Sequence, residues 1–422
     1  MLGRLISLVG LFVLMFLAWV ASRDRKNINV RLILAGLLFQ FVFAFIVFKL
    51  SAGVVIFSLL NDAVLRVISF AKEGIYFVFG PLSISPGEIG PMGETSPGFI
   101  LAFQVLPSII FFSALVSLLY HLNIIPAIIK VFAGIFTYLM KISGAEALCA
   151  SSNIFVGIES AVTIRPYIRE MTRSELCTVL TAGMGTIAST VLALYVGFLH
   201  REFPSIAGHL ISASVISAPA AIIMSKLVVP EIERPTTLGM SVQVEKDRRS
   251  STWIESIIMG ANDGVKLCVG IITLLLAFLG LLSMFNWFLG FVGAKLFGIG
   301  LSLQLILKYL YYPITLLMGV PLQDVEHIAT LLGERTIVTE VVSYQHLHQL
   351  IKDGMVTDPR SIMIASYALC GFAHIASLAI FVGGFSAIAP SRAKDLAQLG
   401  FRALYAATLA CLMTGCVAGL FG

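Results

Sequence analysis

The chain has 422 residues, of which 58% are apolar and only 12% are charged. Soluble domains have about 45–50% apolar and about 25% charged residues, so this chain has too few charges to cover a water-facing surface. The net charge of +5 is small and dispersed, which excludes a nucleic-acid-binding protein. The composition is that of an integral membrane protein.

Nine long uncharged runs follow one another along the chain. Most reach the ~20 residues that cross the hydrocarbon core as a helix, and they lack the ten-residue alternation of barrel strands. They predict an all-α polytopic membrane protein with apolar runs at 5–22, 32–48, 97–122, 176–199, 203–225, 267–294, 309–323, 361–391 and 403–422.

The first run is predicted to be a retained transmembrane helix. It is longer than the apolar core of a signal peptide and ends in Ser22-Arg23-Asp24-Arg25-Lys26, without a small-x-small cleavage site. The basic residues after it place that end in the cytoplasm and the N-terminus outside. We expect a multi-pass protein of the plasma membrane, which is the inner membrane in a bacterium.

Changes in composition divide the chain into segments. Charges interrupt the apolar stretch 50–80, which predicts an interfacial helix, and mixed charges at 230–251 predict a linker. The expected organisation is N-terminal transmembrane helices and the interfacial helix at 1–122, a first repeat at 123–229, the linker at 230–251, a further helix at 252–298 and a second repeat at 299–422.

The two halves share the pattern G-x-x-x-I-A-S, at 183–189 and at 371–377, each inside a long apolar run. A glutamate lies upstream of each copy, Glu159 in the first half and Glu340 in the second. The match is short enough for chance to explain it. The shared order favours an internal inverted repeat, an arrangement in which broken helices meet near the membrane midplane.

Glu159 and Glu340 are the first candidates for function. An ionised carboxylate in hydrocarbon costs at least ~2.5–3.5 kcal/mol, so it normally faces a partner, a cavity or a bound ion. The alternative is that each pairs with a nearby arginine, Arg165 or Arg335, or lies at the membrane interface.

The stretch 145–169 is predicted to be a re-entrant hairpin, because small and polar residues are concentrated midway and Pro166 limits the second arm. Free carbonyls at the first hairpin, together with Asn153 and Thr186, would form an all-oxygen site for a hard cation. Alternatively, Asn153 only caps a helix.

His374 is predicted to lie mid-helix within a 31-residue uncharged run, with Ser377 three residues later on the same face. Either the imidazole is a satisfied interhelical hydrogen-bonding group, or it contacts substrate or titrates. Phe372 is a core aromatic or stacks on a base. The sequence contains no convincing hydrolase triad, and its six cysteines lack CxxC spacing, so neither an enzyme nor a metal centre is expected.

Several motifs, in order, resemble those of the concentrative nucleoside transporters, the cation-coupled nucleoside symporters. The resemblance covers nearly the whole chain. It implies a homotrimer in which a scaffold, at 1–122 and 252–298, surrounds a transport domain. That domain would be formed by the transport repeats 123–229 and 299–422, with two re-entrant hairpins (145–169 and about 303–335) and two partly unwound helices. The motifs are Gly98–Phe103 with Val105–Pro107, Asn153–Gly157 with Arg165-Pro166, Thr339-Glu340 with Val342–Tyr344, and Ala368–Ala373 with Ala389-Pro390.

The resemblance also implies roles for individual residues. The side chains of Asn153 and Thr186 and the carbonyls of Val156 and Ile187 match the family's sodium ligands, and Glu340, Phe372 and Ser377 match its nucleoside contacts. The chain departs from the family pattern at Ile158-Glu159-Ser160 (usually Gln-Thr/Ser-Glu), at Thr339 (usually Asn) and at His374 (usually Asn). We expect Glu159 to join the cation site, and Ser160, Thr339 and His374 to line the substrate site.

The sequence therefore predicts a symporter that carries nucleosides into the cell by alternating access, coupled to a sodium or proton gradient. The alternatives are a transporter of an anionic relative such as a nucleotide, and a non-concentrating channel or binding protein with the same fold. The expected partners are the substrate, the lipid bilayer and two further copies of the chain. No cofactor is expected beyond a bound sodium ion.

Overall fold

The structure is a computed structural model that describes residues 2–157, 160–240 and 252–422. In these ranges the chain is helical, and its only β-type pairings are two isolated bridges. The α-helices are α1 Leu2–Val20, α2 Val30–Lys49, α3 Ser51–Phe79, α4 Leu101–Gln104, α5 Pro107–His121, α6 Ile124–Met140, α7 Gly144–Ser152, α8 Ser160–Thr163, α9 Arg173–Gly185, α10 Ser189–Leu199, α11 Ile206–Val228, α12 Trp253–Phe297, α13 Leu303–Leu317, α14 Val325–Ile337, α15 Glu340–Lys352, α16 Pro359–Leu369, α17 Ile375–Ile388 and α18 Ala393–Phe421.

Eight helical segments of the described chain are long and apolar enough to cross a membrane. This confirms the all-α polytopic fold class. One of the eight is 51–83, where the sequence predicted an interfacial helix, so its length and composition also fit a span. The longest is α12, whose 45 residues extend for about 68 Å and pack along α5.

Two of the predicted runs are broken helices. The run 176–199 is interrupted between α9 and α10, and Thr186 is extended there with φ −117° and ψ 169°. The run 361–391 is interrupted between α16 and α17. The expectation that His374 lies mid-helix is therefore wrong, because this residue is the extended N-cap of α17, with φ −138° and ψ 165°.

The same six-element order occurs twice. Each copy has a leading helix, a pair of helices that pack as a hairpin, a broken helix and a long closing helix. The first copy runs from α6 to α11 and the second from α13 to α18. We call α7 and α8 hairpin 1, and α14 and α15 hairpin 2.

The hairpins differ in place and size from those predicted. Hairpin 1 falls within 145–169 except for its first residue, but its second arm is a single turn of four residues. Hairpin 2 spans 325–352 rather than about 303–335, because 303–317 is the separate helix α13. Gly319, with φ +83°, and the following Pro321 turn the chain between α13 and α14.

Helix α1 contacts the two repeats at its opposite ends. Near its start, the Ser7 hydroxyl donates to the carbonyl of Met318, just after α13, at 2.7 Å. Just after its end, the N–H of Arg23 donates to the carbonyl of Val228, the last residue of α11, at 2.9 Å. The last turn of α11 is in turn bonded to the first turn of α7. Because a 19-residue helix is about 28 Å long, the hairpins begin at opposite ends of the molecule, and the repeats are inverted.

The two helix breaks meet in the middle of the molecule. A Cβ atom added to Gly371 would lie 3.0 Å from the carbonyl atoms of Gly185. Only a residue without a side chain allows the break of α16–α17 to come this close to that of α9–α10. The apposed breaks place backbone polar groups and the side chains beside them at the centre of the fold.

Candidate functional site

Glu340 is the first residue of α15, and its carboxylate is buried against side chains from two other elements. The hydroxyl of Tyr195, on α10, donates to Oε1 at 2.8 Å. The Nε2 atom of His374 lies 3.0 Å from Oε2. Hairpin 2 and both broken helices therefore meet at one carboxylate.

The hydrogen bonds of His374 assign its tautomer. Its Nδ1 accepts the backbone N–H of Ser377 at 3.1 Å and so caps α17. Because an accepting nitrogen carries no hydrogen, the proton of the neutral ring lies on Nε2, the atom that faces Glu340. An asparagine offers the same pair of functions, since its oxygen can cap the helix while its amide donates. His374 thus retains the chemistry of the asparagine typical of the family that this chain resembles.

Three further predicted substrate residues, Thr339, Phe372 and Ser377, are close in sequence to Glu340 or to His374. The buried hydroxyl of Thr339 has no hydrogen-bond partner within the described structure. The Ser377 hydroxyl lies against the carbonyls of Phe372 and His374 and donates its single hydrogen to one of them, which stabilises the unwound segment. The Phe372 ring is half-buried, which leaves part of its surface for a ligand.

Neither arginine proposed as a partner pairs with Glu340. Arg335 is fully buried, and its Nη1 donates to the carbonyl of Ala368 near the end of α16 at 2.6 Å. Arg165 is exposed. The Glu340 carboxylate contacts His374 and Tyr195 instead.

A second group of polar atoms surrounds the tip of hairpin 1. Asn153 caps α7, and its Nδ2 donates to the carbonyl of Cys149 at 2.9 Å, while its Oδ1 accepts the Ser160 hydroxyl at 3.0 Å. Ser160, predicted as a substrate contact, therefore bonds to a candidate cation ligand. Thr186 is buried, and its hydroxyl donates to the carbonyl of Ala182 at 2.8 Å.

Hydrogen bonds link the tip of hairpin 1 to the break of α9–α10, and the hydroxyl of Ser214 links both segments to α11. The N–H of Ser189 donates to the carbonyl of Phe155 at 3.1 Å, close to the candidate ligand Val156. The hydroxyl of Ser214, on α11, is 2.9 Å from the carbonyl oxygen of Ile154 and 3.3 Å from that of Ile187. The predicted ligands thus lie on segments that contact one another. Glu159, the remaining predicted member, lies outside the described residues.

Helix α10 connects the two groups. Ser189 contacts hairpin 1 and Tyr195 contacts Glu340, and these residues are six positions apart on one helix, a rise of about 9 Å. One helix therefore carries a contact to each group.

Tyr195 and Ser214 are not among the predicted site residues. Tyr195 is fully buried and stacks on Tyr344, with ring centroids 4.3 Å apart. An aromatic residue within an apolar helix gives no sign of its hydroxyl's partner, which lies 145 residues away in the sequence. A serine within a transmembrane helix is similarly unremarkable.

A buried ionic network that was not predicted from the sequence lies at the α1 C-terminal end of the molecule. Lys226 Nζ lies 2.6 Å from Glu146 and 3.1 Å from Glu231, and it donates to Ser174 at 3.0 Å. Glu146 and Glu175 complete the capping boxes of α7 and α9. The S/T-x-x-E pattern at each helix start was the available signal.

Comparison with known proteins identifies the family. The family model for the C-terminus of Na+ dependent nucleoside transporters matches residues 209–419, the model for their N-terminus matches 9–82, and a nucleoside-recognition "gate" model matches 102–202. The chain belongs to the concentrative nucleoside transporter family. Members of this family are transporters, not enzymes. Family membership and the apolar helices described above make this chain a multi-pass protein of the plasma or inner membrane.

Individual relatives agree with this assignment. An uncharacterized transporter, YutK of Bacillus subtilis, is 36% identical, and the alignment covers 98% of each chain. Human solute carrier family 28 member 3 is 37% identical over 99% of this chain but only 60% of its own length. The concentrative nucleoside transporter CNTnw, in an inward-facing substrate-bound state, superposes with a TM-score of 0.88 at 34% identity, covering 99% of this chain and 98% of its own.

Substituting His374 tests whether this residue serves as a neutral cap and donor. We expect His374→Asn to transport within a few-fold of the parent with the same pH profile, because both hydrogen-bonding functions are kept. His374→Ala should lose most transport, since α17 loses its cap, worth roughly 0.5–2 kcal/mol, and Glu340 loses a donor. Uptake in liposomes from pH 5.5 to 8 measures this. A pH dependence that His374→Asn abolishes would show instead that the imidazole titrates during transport.

Proposed function

We propose that the chain carries nucleosides into the cell together with sodium, by alternating access to one central site. The observation that carries this proposal is the Glu340 carboxylate, which is buried where hairpin 2 meets both broken helices and is held by Tyr195 and His374. In transporters with inverted repeats, substrates bind at such broken helices.

The lone pairs of Glu340 favour a sugar as the bound group. A carboxylate has about four acceptor positions on its two oxygens. Tyr195 uses one on Oε1 and His374 faces Oε2, so each oxygen retains acceptor capacity. The two adjacent hydroxyls of ribose fit this arrangement, with one hydrogen bond to each oxygen. Thr339 and Ser377 then supply further polar contacts, and Phe372 stacks on the base.

The charges around Glu340 favour a neutral nucleoside over a nucleotide. The nearby cation, Arg335, donates to the carbonyl of Ala368 and makes no bond to Glu340. A phosphate at the site would therefore face an anionic carboxylate in a buried environment, where like charges repel strongly.

The polar group at hairpin 1 favours sodium as the coupling ion. The described members of this group offer neutral oxygen ligands. They are the side chains of Asn153, Ser160 and Thr186 and the backbone carbonyls of Val156 and Ile187. Hard cations prefer such oxygens. Because α10 joins this group to Tyr195, occupation of the cation site can set the position of the groups that hold Glu340.

Alternating access follows from the opposed hairpins. If the basic end of α1 faces the cytoplasm, hairpin 1 begins at the cytoplasmic end and hairpin 2 at the external end. Movement of the hairpins and broken helices against α5 and α12 then opens the central site to each side in turn. We propose that three copies assemble through a scaffold that includes these two helices, as the family resemblance implies.

Counterflow and gradient-driven uptake in liposomes test the function. Purified protein should exchange labelled uridine for unlabelled nucleosides but not for nucleotides, and an inward sodium gradient should concentrate uridine above its external level. Equilibration without concentration under both sodium and proton gradients would indicate a channel. The absence of saturable nucleoside exchange would refute nucleoside transport.

A further inference from the structure

Ser214 lies between the two segments that carry the candidate cation ligands. Its side chain is buried, and its hydroxyl contacts the carbonyls of Ile154, which follows Asn153, and Ile187, which follows Thr186. One side chain from α11 therefore bridges the tip of hairpin 1 and the break of α9–α10.

The two contacts cannot be equally strong. A hydroxyl has a single hydrogen, so it is shared unequally, with the stronger hydrogen bond to the Ile154 carbonyl at 2.9 Å and the weaker one to the Ile187 carbonyl at 3.3 Å. A carbonyl oxygen has two lone pairs, and that of Ile187 can therefore face Ser214 and a cation at the same time.

We infer that Ser214 is a positioning residue for the coupling cation, because it orients the Ile187 carbonyl and fixes the tip of hairpin 1 beside it. This inference rests on the sodium coupling proposed above. Sodium binding then draws hairpin 1 and the break of α9–α10 together against α11. The affinity for sodium depends on this hydroxyl, whereas the nucleoside contacts around Glu340 do not include it.

The neighbouring Ser217 provides a matched control. It lies on the same helix and is also buried, but its hydroxyl donates to the backbone carbonyl of Ser214 within α11. Removing the Ser217 hydroxyl takes away a similar volume and polarity without touching the bridge.

The experiment measures sodium and nucleoside affinities separately. For Ser214→Ala, the sodium concentration that half-saturates uptake should rise roughly two- to tenfold, as expected for the loss of one hydrogen bond. The KM for uridine at saturating sodium should stay within about twofold of the parent. Ser214→Thr, which keeps the hydroxyl, and Ser217→Ala should both resemble the parent.

A second readout does not need transport. Sodium that binds the folded protein raises its melting temperature relative to choline, even without nucleoside. For an equal rise in melting temperature, Ser214→Ala should need a sodium concentration higher than the parent's by the same factor as in the uptake experiment. Where Ser214→Ala does not give folded protein, Ser214→Cys, which has a similar size but a weaker donor, takes its place.

The outcomes separate the inference from the function on which it rests. If the parent shows neither sodium-dependent uptake nor sodium-dependent stabilisation, sodium coupling is wrong and the role of Ser214 falls with it. If the parent responds but Ser214→Ala matches it, or Ser217→Ala shifts as much, the inference alone is overturned.

Discussion

Replacing Glu340 by glutamine is expected to weaken uridine binding roughly 10- to 150-fold. The change keeps the shape of the side chain but removes its charge, and a hydrogen bond to a charged group contributes about 1.5–3 kcal/mol. The amide also presents an NH2 group either to the Tyr195 hydroxyl, which donates to Oε1, or to the His374 Nε2 atom, which lies 3.0 Å from Oε2. Titration calorimetry with uridine on the purified protein measures the loss.

Glu326→Gln is the matched control for this experiment. Glu326 lies on α14 in the same hairpin, but it is exposed and pairs with Lys308 at 2.7 Å. Exposed ion pairs contribute about 0–1 kcal/mol, so uridine affinity should change little. Equal affinities for the parent and Glu340→Gln would remove Glu340 from the substrate site.

Replacing Lys226 by methionine is expected to cause a large loss of stability with no direct effect on either binding site. Methionine leaves Glu146 and the half-buried Glu231 without their cation. Breaking a buried ion pair by removing one partner costs roughly 3–5 kcal/mol. The melting temperature of detergent-solubilised protein should fall well below that of the parent.

Two further variants show whether the network is the cause. Lys266→Met removes a lysine whose pairing with Asp263 is exposed, so it should melt close to the parent. The double variant Lys226→Met/Glu146→Gln should recover part of the lost stability, because the buried charge that lost its partner is also removed. A Lys226→Met protein that melts with the parent would show that this lysine does not stabilise the fold.

The sequence predicted the fold class well because it depends on apolar run lengths, which are local. The resemblance implied two partly unwound helices, but run length alone does not reveal the breaks within 176–199 and 361–391, because the residues at each break are themselves mostly apolar or small. Extended backbone at Thr186 and His374 depends on contacts made by the opposite repeat, such as the approach of Gly371 to Gly185. The second hairpin was placed too early because the sequence gives few signals that α13 ends at Leu317, where only a turn at Gly319 and Pro321 separates it from α14.

The candidate site was predictable where a residue is unusual for its surroundings. Glu340 and His374 stand out in an apolar context, and the structure places them 3.0 Å apart. Their partner Tyr195 does not stand out, because a tyrosine is ordinary in an apolar helix and its hydroxyl's acceptor is set by tertiary packing. Lys226 was missed for the same reason: the capping boxes predict two helix starts, but not that one lysine joins them.

The most direct test of the central claim is a thermodynamic cycle between Glu340 and the sugar. The dissociation constants of uridine and 3′-deoxyuridine would be measured by calorimetry for the parent and for Glu340→Gln. If Glu340 accepts a ribose hydroxyl, removing either partner weakens binding, but removing both costs less than the sum of the single losses. Fully additive losses would show that Glu340 does not contact the sugar and would contradict the proposed substrate site.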